Sequence, residues 1–133
     1  MSGPNKELFD VNFKDWRSDP EQLFNIDKIP NPVLRATHRQ SKKRLLAYAN
    51  SQLSKALDIN TLTIGFARRA ATYKRAQLIF KDVDRLIDIG KGKIQIIFSG
   101  KAHPKDEGGK SLIKNIIKSS KYFTGHILSL IHI

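Results

Sequence analysis

Two short apolar runs, separated by a segment with helical periodicity, constrain the fold of this chain more than any other feature. Residues 61–66 (TLTIGF) and 93–98 (KIQIIF) are rich in β-branched and aromatic side chains, which is typical of buried strands. Between them, over residues 72–89, apolar side chains recur at three- and four-residue steps, which predicts a helix. Two strands joined by a helix form a parallel βαβ unit. The sequence therefore predicts an α/β fold.

Helical periodicity also flanks the βαβ unit. Asn31 and Pro32 suit an N-cap and a first helical residue, and the pattern after them predicts a long helix to about Leu57. Another helical pattern follows the loop that begins at Ser99. The predicted order is α-β-α-β-α, with a third strand if residues 125–133 are counted. So few strands leave open sheet edges, which predicts part of a larger domain.

Changes in composition predict three segments. Residues 1–30 contain scattered prolines and aromatic side chains without a sustained period, which predicts an irregular N-terminal segment. Residues 31–127 form the partial α/β domain. Residues 128–133 (LSLIHI) give the chain an uncapped apolar end, and we interpret them as a non-native tail.

Charge and cysteine content narrow the function classes. The chain has 24 Lys+Arg against 12 Asp+Glu, a formal net charge of +12, which predicts an anionic partner. It has no cysteine, which excludes a disulfide scaffold and a thiolate nucleophile. The His residues have no metal-ligand spacing, so no metal site is predicted. Without a signal peptide or a long apolar run, the sequence predicts a soluble cytoplasmic protein with no membrane partner.

The loop after the first apolar run contains four cations, Arg68, Arg69, Lys74 and Arg75. Ligands of open α/β sheets bind beyond the carboxyl ends of the strands, which is where this loop lies. The positive end of a helix dipole disfavours cations, so a counter-anion is expected among them. Bidentate Arg, a reaching Lys and helix-start amides would together bind phosphate. Four solvated surface cations are the alternative.

The loop over residues 99–110 follows the neighbouring strand and is expected to border the same crevice. In it, Gly100 permits a close backbone approach or a positive φ. The GKS run at 109–111 does not complete a P-loop, because Pro104 stands where the first glycine of that motif belongs. Asp106 and Glu107 are interpreted as helix-start residues rather than a catalytic acid–base pair.

Two motifs, in a characteristic order and separation, point to a family. The run TIGFARRAATYKRA over residues 63–76, followed by FSGKAHPKDEGGK over residues 98–110, closely resembles the short bacterial and archaeal branch of the α-glucan (glycogen, starch, maltodextrin) phosphorylases. The resemblance covers residues 14–127, about one-seventh of a typical family chain. It implies that the chain is a fragment from the start of the C-terminal domain, a Rossmann-like domain of the GT-B glycosyltransferase type.

The resemblance also implies an activity. Members are pyridoxal-phosphate-dependent enzymes that transfer a terminal α-1,4-linked glucosyl unit to inorganic phosphate, giving glucose 1-phosphate, so their partners are phosphate and an α-1,4-glucan. By resemblance, Arg69 and Lys74 would bind the substrate phosphate, Arg68 and Lys74 the cofactor phosphate, and Tyr73 would contact the sugar. The family's Schiff-base lysine lies in a downstream segment with no counterpart here. The isolated chain is therefore predicted to lack a complete catalytic set and to be inactive.

Two other functions are consistent with parts of the sequence. A small basic nucleic-acid-binding protein agrees with the net charge of +12, but no aromatic–basic platform occurs and the strands are predicted to be buried. A sugar-nucleotide glycosyltransferase would need carboxylates placed to bind a ribose and a base, which these loops do not offer. The phosphorylase hypothesis is preferred, with nucleic-acid binding as the alternative.

Overall fold

The computed structural model describes residues 3–52, 56–122 and 128–131. The chain divides into two compact units, Met1–Tyr48 and Ala49–Ile133. The described part of the first unit is helical, and the second unit contains the sheet and the loops predicted to be functional. The domain boundaries drawn from composition stay a prediction.

The start of the first unit is more regular than the sequence predicted. Helix α1 spans Gly3–Asn12, and a 3₁₀-helix spans Pro20–Lys28. The carboxylate of Asp19 caps the 3₁₀-helix by accepting the N–H of Glu21 at 3.2 Å. Residues 3–28 are thus largely helical, although composition predicted an irregular segment over residues 1–30.

A local aromatic cluster accounts for this order. The ring centroid of Phe9 lies 5.5 Å from that of Phe13 and 5.7 Å from that of Trp16, both in edge-on geometry. Phe13 is buried. These contacts form within one short stretch of chain, so they give no sustained period for a sequence pattern to reveal.

The Asp10 carboxylate accepts three hydrogen bonds in this unit, from the side chains of Lys6, Trp16 and Arg17. The hydrogen bond from Lys6, with smaller effects from Trp16 and Arg17, lowers the pKa of Asp10 from 3.8 to about 2. Because folding lowers this pKa, the carboxylate stabilises the fold above pH 3.8, and that stabilisation is lost as the pH falls towards about 2.

We expect Asp10→Asn to reduce the change in the free energy of unfolding between pH 3.8 and about 2. Unfolding at each pH is followed by Trp16 fluorescence. The exposed Asp27→Asn is the control, and identical profiles for the two variants would contradict the expectation.

Helix α2 spans Asn31–Gln52 and so ends before the predicted Leu57. The side-chain amide of Asn50 explains the end, because its Oδ1 accepts the Leu57 N–H at 2.7 Å and its Nδ2 donates to the Leu57 carbonyl at 3.2 Å. The helical pattern predicts Leu45, Ala49 and Leu53 on the apolar face of this helix. Ala49 is buried as predicted, whereas Leu45 is 47% exposed and its neighbour Leu46 is buried instead. Leu53 lies outside the described residues.

The second unit contains a three-stranded parallel sheet in the order β1-β2-β3, formed by Leu62–Ala67, Ile94–Ser99 and Leu128–Ile131. In the β1–β2 register Phe66 lies beside Phe98, and β2 also pairs with β3. The predicted parallel pairing of the first two strands is confirmed. Residues 128–131, predicted to belong to a non-native tail, form the third strand, and residues 132–133 lie outside the described part.

Strand β1 is more exposed than the buried strand that the sequence predicted. Leu62 is 60% and Ile64 is 39% exposed, whereas residues 95–98 of β2 are all buried. Position in the sheet is the reason, because among the described strands β2 has a neighbour on each side, whereas β1 pairs with β2 alone. The buried Gln95 side chain has partners, since its Nε2 donates to the Asp58 carbonyl at 2.7 Å and to the Thr63 hydroxyl at 2.6 Å.

The helix predicted over residues 72–89 exists only in its second half. Helix α3 spans Val83–Gly90, and two 3₁₀ turns precede it, Thr72–Lys74 and Leu78–Phe80. Arg75 lies between the turns with a left-handed backbone (φ 52°), which a continuous α-helix cannot contain. The Asp82 carboxylate then accepts the N–H of Arg85 at 3.0 Å and caps the start of α3.

Helix α4 spans Glu107–Tyr122, in agreement with the helical pattern. The Asp106 carboxylate accepts the Gly109 N–H at 2.8 Å as an N-cap, and Glu107 pairs with Lys110. The structural interpretation of the two acidic residues is confirmed. The sheet and helices of this unit enclose a cluster of buried apolar side chains, formed by Ala70, Ala76, Leu86, Ile96, Phe98, Leu112 and Ile116.

Candidate functional site

The loops that follow β1 and β2 are joined by backbone hydrogen bonds. The Arg68 N–H donates to the Ser99 carbonyl at 3.1 Å, and the Ala70 N–H donates to the Lys101 carbonyl at 3.0 Å. The pairing of the two strands therefore continues into the loops. These bonds fix the first loop beside the second at the carboxyl edge of the sheet.

Two glycines allow this close approach. A Cβ atom at Gly100 would collide with the carbonyl oxygen of Arg68, and one at Gly109 would collide with the carbonyl oxygen of Ala70. The prediction that Gly100 permits a close backbone approach is confirmed. A larger residue at either position would push the two loops apart.

The loops enclose an open pocket of about 790 Å³, as expected for a crevice that both border. Its lining includes three cationic residues, Arg68, Arg69 and Lys101. The full lining consists of Ala67, Arg68, Arg69, Ser99, Gly100, Lys101, Ala102, His103 and Pro104. Cations thus line the pocket, and the described residues that border it include no carboxylate.

Arg69, Tyr73 and Lys74 form a second group, which we call the tyrosine cluster. The Lys74 Nζ lies 4.5 Å from the Tyr73 ring centroid. Hydrogen bonding by the Lys74 side chain, and then by the Arg69 side chain, lowers the pKa of the Tyr73 hydroxyl below its usual value. Three residues predicted for the site are therefore brought together in space.

The other two predicted cations lie apart from this cluster. Arg68 borders the pocket between the loops, while Lys74 is absent from the described residues that line it. Arg75 borders a separate, mainly apolar pocket of about 330 Å³ with Phe66 and Leu78. The described contacts thus bring Arg69 and Lys74 together, but not Arg68 and Lys74.

The predicted helix start beside these cations is wrong. Only a three-residue 3₁₀ turn begins at Thr72, so the loop has no sustained helix dipole. The neighbouring amides are also engaged, because the Lys74 N–H donates to the Ala71 carbonyl and the Arg75 N–H to the Thr72 carbonyl. The positive charge of the site comes from its side chains.

The sequence analysis did not single out Lys101 and His103 as site residues. The structure brings both into the pocket with Arg68. Their signal in the sequence is their place shortly after the carboxyl end of β2, the region where open α/β sheets bind ligands.

The tyrosine cluster makes a measurable prediction. We expect Tyr73 to ionise at lower pH than an exposed tyrosine, because the cations of Lys74 and Arg69 stabilise the phenolate. Lys74→Gln should move this ionisation to higher pH, and Arg69→Gln should move it less. The absorbance of tyrosinate against pH measures it, with Tyr73→Phe identifying the signal among the three tyrosines. An early ionisation that survives in Y73F would contradict the assignment.

Comparison with known proteins agrees with the sequence motifs. The chain is 37% identical over 124 residues to the maltodextrin phosphorylase of Thermococcus litoralis, a match covering 80% of this chain and 15% of that protein. It is 36% identical over 136 residues to the glycogen phosphorylase of Aquifex aeolicus, covering 87% of this chain and 20% of that protein. This chain matches a segment of the α-glucan phosphorylases. It spans about a fifth or less of the length of these relatives.

A further glycogen phosphorylase, that of Mycobacterium tuberculosis, is 46% identical over 69 residues, covering 50% of this chain and 8% of that protein. No protein-family model matches the chain. Within the described residues, no helix has the length and apolarity needed to cross a bilayer. The same part of the chain contains no group of His, Cys, Asp or Glu side chains arranged to hold a metal ion.

Proposed function

We propose that this chain is a segment of an α-glucan phosphorylase that supplies the phosphate-binding loop of the enzyme. The whole enzyme would transfer a terminal α-1,4-linked glucosyl unit to inorganic phosphate and release glucose 1-phosphate. The position of the Lys74 ammonium group over the Tyr73 ring, together with the effect of Lys74 and Arg69 on the Tyr73 hydroxyl, carries the proposal. The loop follows a strand of a parallel sheet, in keeping with a Rossmann-like domain of the GT-B type.

The tyrosine cluster suits a phosphate oxyanion physically. Two cationic side chains, Lys74 and Arg69, already act on the Tyr73 hydroxyl. A phosphate oxygen would accept hydrogen bonds from the same two groups with a full charge on the acceptor. Arg69 offers a planar fork for two oxygens, and Lys74 offers a point charge. Tyr73 is 65% exposed, so its ring is available to the sugar that reacts with the bound phosphate.

The pyridoxal phosphate cofactor belongs to the same proposal. The donor set fits its phosphate end, because Arg68 lies in a cation-lined pocket with no carboxylate among the described lining residues. Arg68, together with Lys74, would bind that phosphate, which supplies proton transfer to the substrate phosphate when the cofactor is bound. The Schiff-base lysine known from the resemblance has no counterpart in this sequence. We therefore expect no glucose 1-phosphate from the chain by itself.

A cytoplasmic location would agree with a chain that contains no cysteine.

Phosphate binding to the 133-residue chain tests the proposal. Lys74→Gln should weaken the binding of inorganic phosphate about tenfold, the effect of losing about 1.4 kcal/mol from one charge-assisted hydrogen bond. Calorimetric titration measures the affinity, with chloride used to hold the ionic strength constant. Lys81→Gln removes the same charge from an exposed position after the second 3₁₀ turn and should leave the affinity unchanged. Equal affinities for the two variants would contradict the proposal.

A further inference from the structure

The start of helix α4 lies against the backbone of the cationic loop. A Cβ atom at Gly109 would collide with the Ala70 carbonyl oxygen, and one at Gly108 would lie 3.4 Å from the Thr72 methyl group. Both loop residues belong to the segment that carries the tyrosine cluster. The first turn of α4 therefore touches that segment at two points.

We propose that Asp106 and Gly109 are positioning residues, which hold the loop backbone so that the cations of the tyrosine cluster face one place. The resemblance assigns no role to either residue, and neither is assigned a contact with phosphate, cofactor or sugar. This inference rests on the proposed function, because it concerns how the phosphate-binding side chains are held.

Asp106 fixes the first turn of α4 through two hydrogen bonds. Its carboxylate accepts the Gly109 N–H at 2.8 Å, and its backbone N–H donates to the His103 carbonyl at 2.9 Å. A side-chain cap of this kind pairs an amide that the helix itself leaves without a partner. Without the cap, the first turn of α4 would fray, and the loop would lose the surface against which Ala70 lies.

Gly109 is buried between the Asp106 carboxylate and the loop. A Cβ atom there would lie 2.9 Å from Asp106 Oδ2 and would also collide with the Ala70 carbonyl oxygen. Ala70 is not free to move away, because it is buried and its N–H donates to the Lys101 carbonyl at 3.0 Å. The second loop and α4 thus hold Ala70 from two sides.

A short turn carries this constraint to the tyrosine cluster. The carbonyl of the buried Ala71 accepts the Lys74 N–H at 3.0 Å, and the Thr72 carbonyl accepts the Arg75 N–H at 3.2 Å. Because these hydrogen bonds close the turn, its side chains move with the backbone that enters it. A shift of that backbone would displace the Lys74 ammonium group, which lies 4.5 Å from the Tyr73 ring centroid.

Tyrosinate absorbance against pH tests the positioning in the full 133-residue chain, with Tyr73→Phe identifying the signal. Asp106→Ala should move the Tyr73 ionisation to higher pH, because Lys74 and Arg69 would act less on the hydroxyl. Asp106→Asn keeps an acceptor for the Gly109 N–H and should not raise the ionisation pH. Loss of the carboxylate charge alone would favour the phenolate, which is a shift in the opposite direction.

Gly109→Ala and Gly108→Ala form a second, matched pair. Both introduce alanine into the first turn of α4, so their effects on helix propensity are alike. Only the methyl group at position 109 would collide with the Ala70 carbonyl, whereas the one at position 108 would meet Thr72 at an ordinary contact distance. G109A should therefore raise the ionisation pH of Tyr73, and G108A should leave it unchanged. If Asp106→Ala loses its helical circular dichroism, this pair decides.

Phosphate binding distinguishes this inference from the proposed function. D106A and G109A should weaken the calorimetric affinity for inorganic phosphate about threefold, because the cations remain and lose only their placement. If K74Q leaves phosphate binding unchanged while D106A and G109A still raise the ionisation pH, the proposed function fails and the positioning stands. The positioning is overturned if G109A and G108A ionise alike, or if D106N raises the ionisation pH as much as D106A.

Discussion

Arg69→Ala is expected to slow phosphorolysis about 100- to 1,000-fold in a phosphorylase that carries this segment, the cost of losing one preorganised charged donor at a reacting anion. The enzyme to use is the Thermococcus litoralis maltodextrin phosphorylase with its matching segment replaced by this chain. Arg69 borders the pocket and also lowers the pKa of the Tyr73 hydroxyl, so its removal takes charge from the place where phosphate is proposed to react. Glucose 1-phosphate formation from maltodextrin at low phosphate measures the effect.

The cofactor content of this variant distinguishes a loss of catalysis from a loss of cofactor binding or of folding. Arg69 is assigned to the substrate phosphate, so the pyridoxal absorbance that remains after dialysis should be close to that of the unsubstituted enzyme. Arg85→Ala, an exposed change on α3, is the control and should keep the full rate. Near-native turnover of R69A at low phosphate would contradict the assignment of Arg69 to the substrate phosphate.

Gly100→Ala is expected to lower the free energy of unfolding of the chain by about 1–3 kcal/mol, the usual cost of forcing extra atoms into a packed position. The added methyl group would meet the Arg68 carbonyl oxygen, which is backbone and cannot rotate away. The loops would have to separate, which would weaken the hydrogen bond between the Arg68 N–H and the Ser99 carbonyl. Binding of phosphate in the pocket should weaken with it.

Urea unfolding followed by circular dichroism measures this change. Gly65→Ala is the matched control, because a Cβ atom at Gly65 would meet nothing within 4 Å. That variant should unfold close to the original chain, or slightly later, since alanine reduces the entropy of the unfolded state. Equal destabilisation of G100A and G65A would show that the approach of the loops is not the cause.

Part of the fold and of the site could be predicted from the sequence because it depends on local pattern. The apolar runs predicted the parallel β1–β2 pair, and Gly100 predicted a close backbone approach, both of which the structure confirms. The interpretation of Asp106 as a helix-start residue also holds, since capping acts within one turn of the chain. The resemblance of the two loop motifs to α-glucan phosphorylases agrees with the relatives found.

The sequence predicted a longer helix and a more buried strand than the structure contains, because tertiary contacts decide both. Periodicity over residues 72–89 predicted one helix, but the left-handed backbone at Arg75 and the cap at Asp82 divide it into two turns and a short helix. Apolar composition predicted a buried β1, yet burial depends on how many neighbours a strand has. The pattern of apolar residues along a sequence does not show which parts of the fold pack against them.

By itself, then, the sequence determined the order of the helices and strands from α2 to α4, the parallel direction of β1 and β2, and the cationic loop at their carboxyl edge. Only the tertiary structure decided that Lys101 and His103 border a pocket with Arg68. The physical reason is that this grouping depends on backbone hydrogen bonds between loops far apart in the chain, including the bond from Ala70 to Lys101. Such bonds set distances between side chains that no spacing along the sequence encodes.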